Sequence, residues 1–310
     1  MPSPALSVQQ LTRRFAQRGL SFRKQVRGLL GVTFDVPRGA CFGFVGPNGA
    51  GKTTLLKVLL GLIQADSGTV SVLGFPHDDP RWRSRIGYLP EQPYFYDHLS
   101  PVEYLDLAGR LFGIESVLRK KRSKELLDRL GLGASANVAM RKFSKGMLQR
   151  LGVAQALIND PELLILDEPM SGLDPIGRRE LRQLFLELRD AGKTLFFSSH
   201  ILSDVESLCD SVAVLRDGRL IAAGPLNEVL KVDTEHVEIT LSLPAAVAAG
   251  FLPSTPRVFL GDERHRFDVA AADAFQVLAE AQKVSAHLIS VQPVKKSLEA
   301  FFVQGTTGAH

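Results

Sequence analysis

Residues Gly46-Pro-Asn-Gly-Ala-Gly-Lys-Thr53 constrain this chain more than any other stretch, because they match G-x-x-x-x-G-K-[ST] between two segments of different period. Before them, Cys41 to Val45 reads as a short apolar strand. After them, Lys52 to Ile63 places Leu55, Leu56, Leu59, Leu60 and Ile63 on one face of a helix. Glycines in such a turn let the backbone curl so that its N–H groups point inward, and the helix N-terminus adds a potential that favours an anion. The loop Gly46, Pro47, Asn48, Gly49, Ala50, Gly51, Lys52, Thr53, with Thr54 behind it, is therefore expected to cradle phosphates. Lys52 would reach the β and γ phosphates, and the Thr53 hydroxyl would ligate Mg²⁺. The competing reading is a plain glycine turn between strand and helix.

Further along, Leu163-Leu-Ile-Leu-Asp-Glu168 ends an apolar, buried-type strand on two carboxylates. Beside a phosphate loop, Asp167 is placed to hold Mg²⁺ and Glu168 to polarise an attacking water. Without such a loop, the pair would be equally well read as a solvated acidic turn. Phe143-Ser-Lys-Gly-Met147 opens a helix from Leu148 to Ile158, with Ser144 as its N-cap. It reads either as a cap alone or as a second phosphate-binding helix terminus used by a partner. Strands Thr194 to Phe197 and Val212 to Leu215 alternate with helices Ile176 to Ala191 and Ile201 to Leu208, which predicts a parallel sheet covered on both faces.

A chain of 310 residues suggests two domains, and 45% hydrophobic against 23% charged residues excludes a disordered protein. The net charge of +4 is too small to argue for nucleic acid. The basic run Arg119-Lys-Lys-Arg-Ser-Lys124 has no interleaved aromatics and is expected to be a solvated helix face. Two cysteines, Cys41 and Cys209, make no disulfide framework and fit a reducing compartment. No secretory signal is legible, so a cytosolic location is expected. The uncharged run Ile239 to Pro256 is interrupted by three prolines and does not read as a membrane span. Past Leu230 the texture changes: His236 to Leu243 and Arg257 to Val269 read as strands and Ala271 to Lys283 as a helix, a small α+β domain.

In their order and spacing these segments resemble the nucleotide-binding subunits of ABC transporters, over residues 5 to about 225. The resemblance implies an α/β P-loop NTPase fold of ABC type: a mixed sheet core with an antiparallel β region, and a helical subdomain at about 95–160. The ATPase domain would span 1–230 and an accessory domain 231–310. Ser144, Lys145, Gly146 and Met147 take the place of the family signature, although Phe143, Lys145 and Met147 depart from the usual Leu-Ser-Gly-Gly-Gln. Ser171-Gly-Leu-Asp174 matches the D-loop, and His200 the switch histidine at the γ-phosphate. Gly87-Tyr-Leu-Pro-Glu91 leads into the Q-loop with Glu91 where glutamine is usual, so a carboxylate approaches Mg²⁺ there. Phe15 takes the place of an adenine-stacking aromatic, or is an ordinary packed residue, since Gln17 to Val26 is longer than usual.

The departures and the tail Val291 to Phe302 are similar to the bacterial exporter branch. That implies ATP and Mg²⁺ as ligands and a head-to-tail homodimer with each ATP shared between two copies. It also implies a separate integral-membrane permease met by Ser100 to Ala136 with Tyr88 to Asp97, and a peripheral position on the cytoplasmic face of the membrane. Nucleic acid is not expected as a partner. The alternative is a soluble ABC ATPase working on nucleic acid or the ribosome, but there is neither a second phosphate loop nor a coiled-coil insertion. No Asn-Lys-x-Asp guanine reader occurs either.

Overall fold

The computed structural model describes residues 3–16, 26–230, 232–248, 250–252 and 255–295. The chain divides into two compact units, one up to Leu226 and one from Asn227.

In the first unit, β3 (Cys41–Val45), β6 (Ile86–Leu89), β7 (Leu163–Asp167), β8 (Thr194–Ser199) and β9 (Ser211–Arg216) form a parallel array, closed at one edge by antiparallel β10 (Arg219–Pro225). The order is β10-β9-β3-β8-β7-β6. Strands β3, β7 and β8 are buried along their whole length, as expected for parallel strands covered on both faces. A second, antiparallel sheet runs β2-β1-β4-β5, from β1 (Leu6–Ala16), β2 (Val26–Val36), β4 (Ser67–Val72) and β5 (Phe75–Pro76). Its inner face meets the first sheet through Phe34 of β2, whose ring stacks on Phe42 at 5.5 Å and on Phe196 at 6.0 Å.

Strands β1 and β2 stay paired across register shifts after Val8 and Leu11, past Gln10, which sits at φ 48°. Helix α1 (Lys52–Leu59) stops short of the expected Ile63. Gly61, at φ 71°, takes the left-handed position that ends helices, while Leu60 and Ile63 still pack on the core from the turn.

The expected helical stretch from Ser100 to Ala136 is two helices, α2 (Pro101–Leu111) and α3 (Ser116–Arg129), parted at Gly113. A Ser100–Glu103 capping box with Pro101 behind it starts α2. Within the basic run, Arg119 is buried and ion-paired with Asp106, and Ser123 is buried too, so only part of that run is a solvated face. Then follow α4 (Lys145–Leu157), α5 (Pro175–Asp190), α6 (Leu202–Leu208) and, across the division between units, α7 (Leu226–Leu230).

The second unit is a four-stranded antiparallel sheet, β12-β13-β11-β14, made of β11 (Val232–Ser242), β12 (Arg257–Gly261), β13 (Arg264–Ala270) and β14 (His287–Lys295). It carries α8 (Ala245–Ala248) and α9 (Ala274–Lys283), with a core around Ile239, Leu241, Phe267, Val277 and Ala281. The expected single strand Arg257 to Val269 is a hairpin. Asp262 and Glu263 both adopt positive φ, the backbone a two-residue turn of this hand requires. Residues 296–302 of the expected tail, and residues 17–25 ahead of the glycine loop, lie outside the described residues.

Candidate functional site

The glycine loop leaves the buried end of β3 and enters α1 at Lys52. Two of its glycines are required by space: a Cβ at Gly46 would stand 2.5 Å from the Leu215 carbonyl oxygen, and one at Gly51 (φ 114°) 2.8 Å from that of Gly28. Lys52 is buried and arches back over the loop, its Nζ donating to the Gly46 carbonyl at 2.6 Å. Burial lowers its pKa, against the pull of Glu168, Asp167 and Glu91.

Parallel pairing sets Asp167 of β7 beside Ser198 of β8. The buried Ser198 hydroxyl donates to Asp167 Oδ1. Burial raises the Asp167 pKa first; Ser198 pulls it down, Glu168 and Glu91 push it up further, and Lys52 draws it down. Glu168 follows at φ 48°, a left-handed conformation that a residue with a Cβ holds only when its surroundings impose it. What imposes it is visible: the Glu168 N–H donates to the Ser198 carbonyl at 3.0 Å. The Glu168 side chain is oriented by Ser199 Oγ, which donates to Oε2 at 3.3 Å, and by His200 Nδ1, 2.8 Å from Oε1. His200 is half-exposed, whereas Glu168 is buried. Tyr88 of β6 has its pKa pushed up to about 12 by burial, with the Asp167 charge adding to it.

Lys52, Asp167, Glu168 and His200 line one cavity of about 380 Å³. Of the residues expected at a nucleotide site, Phe15, Pro47, Asn48, Gly49, Gly51, Lys52, Thr53, Thr54, Glu91, Asp167, Glu168 and His200 all face it. Gly46 and Ala50 complete the loop but do not line the cavity. Phe15 is 38% exposed at its rim, with the Arg13 guanidinium 5.0 Å from its ring centroid, so it is not an ordinary core side chain. Ser144, Lys145, Gly146, Met147 and Asp174 do not line this cavity. Ser144 caps α4 by accepting from Met147 N–H at 3.2 Å, and Asp174 caps α5 by accepting from Gly177 N–H at 2.7 Å. The Lys145 stem lies against Gly172, so the start of α4 and the Ser171–Asp174 turn sit together.

The oxygen donors of Thr53, Asp167 and Glu91 suit a hard cation. Among the described residues no group of three or more His, Cys, Asp or Glu forms a protein-only metal cage. Oxygen donors of this kind fit Mg²⁺, which takes one or two protein oxygens and completes its shell with phosphate and water. Two neighbours were not legible in the sequence. Gly28 of β2 lines the cavity, placed there only by folding. Gln149 of α4, 1% exposed, donates to the Pro169 carbonyl at 3.0 Å; its one sequence signal is an amide on an otherwise apolar helix face.

A phosphate loop between strand and helix, with paired carboxylates at the end of a parallel strand of the same sheet one strand removed, defines a P-loop nucleoside-triphosphatase. The sequence profile of the ABC transporter family matches residues 29–171. An ABC transporter ATP-binding protein of Nostoc sp. is 41% identical over 304 residues, covering 97% of this chain and 90% of the relative. The linearmycin resistance ATP-binding protein of Bacillus subtilis is 33% identical over 288 residues, covering 89% of this chain and 92% of that one. The solved structure of an ATP-binding subunit of an ABC transporter superposes with a TM-score of 0.64 at 33% identity, over 73% of this chain and 91% of that chain. The chain belongs to the ABC transporter ATP-binding family, and is an ATP-binding ATPase.

Proposed function

We propose that this chain is the energy-supplying subunit of an ABC exporter, closing as a head-to-tail homodimer on ATP to drive a separate membrane permease. The observation that carries the reading is a division of labour. One cavity gathers Lys52, Thr53, Asp167, Glu168 and His200, while Ser144 to Met147 stand apart from it, as a half-site meant for a partner's nucleotide would. Export is supported by a relative named a Nod factor export ATP-binding protein, from Ralstonia nicotianae, 38% identical over 74% of this chain. A peripheral position beneath a permease is consistent with the described residues, where no helix is long and apolar enough to cross a membrane. The unit from Asn227 would tune dimer closure without chemistry.

In this reading the loop amides and Lys52 hold the β and γ phosphates, and Phe15 stacks on the base. Thr53, Asp167 and Glu91 would hold Mg²⁺, which when bound neutralises phosphate charge. Glu168 takes the proton of the attacking water on its carboxylate. His200 Nδ1 and Ser199 Oγ keep that carboxylate in place, and the other ring nitrogen of His200 serves the γ-phosphate. Ser144 and Gly146, with Lys145, Met147 and Asp174 beside them, face the γ-phosphate of the other copy.

The test is Glu168→Gln, which keeps shape and removes the base. ATP binding should persist while turnover falls by about two orders of magnitude or more, and an ATP-bound dimer should become isolable with Mg²⁺. Near-normal turnover would remove Glu168 from this role.

A further inference from the structure

Helix α5 begins at the residue after Asp174, and α6 begins after His200 with only Ile201 between. The Ser171–Asp174 turn and the switch histidine are thus the leading ends of two packed helices, and whatever fixes one helix against the other fixes these two loops. That contact contains a charge. Asp204, in the first turn of α6, is only 3% exposed. It faces Arg178 and Arg182, one helical turn apart on α5, with Arg182 Nη2 3.6 Å from Oδ1 and Arg178 Nη1 4.0 Å from Oδ2.

A carboxylate taken out of water is tolerated only with compensation, and guanidinium forks are the usual means. Here the match is incomplete on both sides. Asp204 Oδ2 is buried and accepts no hydrogen bond, and Arg182 Nε is buried and donates none. The spare acceptor on Asp204 and the spare donor on Arg182 leave the tie between the two helices short of full hydrogen bonding. Neither Asp204 nor the two arginines lines the nucleotide cavity, so the charge has no direct part in binding ATP.

We propose that Asp204 is a positioning residue for hydrolysis: through Arg182 and Arg178 it ties the helix behind His200 to the helix behind Asp174, so that γ-phosphate contact at His200 sets the Ser171–Asp174 turn offered to the other copy. The proposal rests on the roles given above to His200 and Asp174. A purely structural Asp204 would affect stability alone, whereas a positioning Asp204 affects kcat and leaves ATP binding intact.

The experiment uses the full-length chain with Asp204→Asn, which keeps volume and relieves the buried charge, and Arg182→Gln, which leaves Asp204 with Arg178 as its remaining partner and should lower the melting temperature more than Asp204→Asn does. Steady-state ATPase kinetics, binding of a fluorescent ATP analogue and thermal melting are measured on each, on the double variant and on His200→Ala. Asp204→Asn should lower kcat about tenfold, with KM and analogue affinity within about twofold. Arg182→Gln should lower kcat severalfold, and the double variant should be no slower than Asp204→Asn alone, as for two residues acting through one contact. Multiplying losses, a raised KM at unchanged kcat, or a lowered melting temperature with unchanged kcat each overturn the positioning role. If His200→Ala keeps full turnover, the reading of the site fails and takes this proposal with it. If His200→Ala is inactive while Asp204→Asn and Arg182→Gln work at the wild-type rate, only the positioning proposal fails.

Discussion

Replacing Ser198 by Ala should destabilise the ATPase unit in a pH-dependent way. Ser198 is fully buried and its hydroxyl donates to the buried Asp167 carboxylate, so the substitution leaves almost no cavity but removes a hydrogen bond to a charge. Such bonds contribute about 1.5–3 kcal/mol, and at roughly 2–4 °C per kcal/mol for a unit of this size, melting at pH 7.5 without nucleotide should drop by about 3–12 °C. The sign with pH follows from Asp167, whose folded pKa is raised above its ordinary 3.8, chiefly by burial. Protonated Asp167 is the form the fold prefers. That preference is fully expressed below the unfolded pKa and is lost as pH rises through the folded one. Ser198 offsets the loss by stabilising the ionised form, so the gap between variant and wild type is widest where Asp167 is ionised. Toward pH 4 it should shrink to the size of a neutral hydrogen bond, about 0.5–1.5 kcal/mol. Scanning calorimetry from pH 4 to 8 on both proteins reads this directly. A drop below 1 °C at pH 7.5, or a gap that does not narrow on acidification, would refute the reasoning.

Mixed dimers of Lys52→Ala and Ser144→Arg chains, each inactive by itself, should retain one intact composite site and bind ATP there; no recovered binding would mean each chain binds ATP wholly alone. Truncation after Leu230 leaves every residue of the cavity in place, so ATP binding should persist while dimer affinity or permease-coupled turnover changes, measured by sedimentation and in reconstituted vesicles. Phe15→Ala should weaken ATP binding by about 1–3 kcal/mol if the ring stacks on the base, read by calorimetric titration against both ATP and a base-free triphosphate, the latter being unaffected.

Local chemistry made the centre of this site legible. The glycine loop, Asp167 with Glu168, and the alternation of strands and helices each depend on neighbours within a few residues, and the parallel sheet that brings them together follows from that alternation. Phe15 could not be assigned from sequence, because its exposure depends on where β1 ends relative to a loop some thirty residues on. Gly28 has no local mark at all. The apolar period predicts a longer α1 than forms, because Ile63 keeps that period after Gly61 has turned the chain. The Asp262-Glu263 turn has no mark in the sequence, since neither residue advertises the positive φ it adopts. In the basic run, a repeated charge hid Arg119, which is buried by its pairing with Asp106 on another helix.

The stacked rings of Phe34, Phe42 and Phe196 have a consequence for how this site comes apart. They lie behind β3 and β8, each hydrogen-bonded to a strand on both sides. Amide protons on these central strands should exchange only when the whole unit opens, which would make the floor beneath the phosphate loop as durable as the fold itself. His200 and Glu91 sit beyond the ends of β8 and β6, outside that protected ladder. In a hydrogen-exchange experiment the cavity should therefore divide into a slow floor and a fast lip, and bound nucleotide should slow the lip while the floor, already at the global limit, gains only what the whole unit gains.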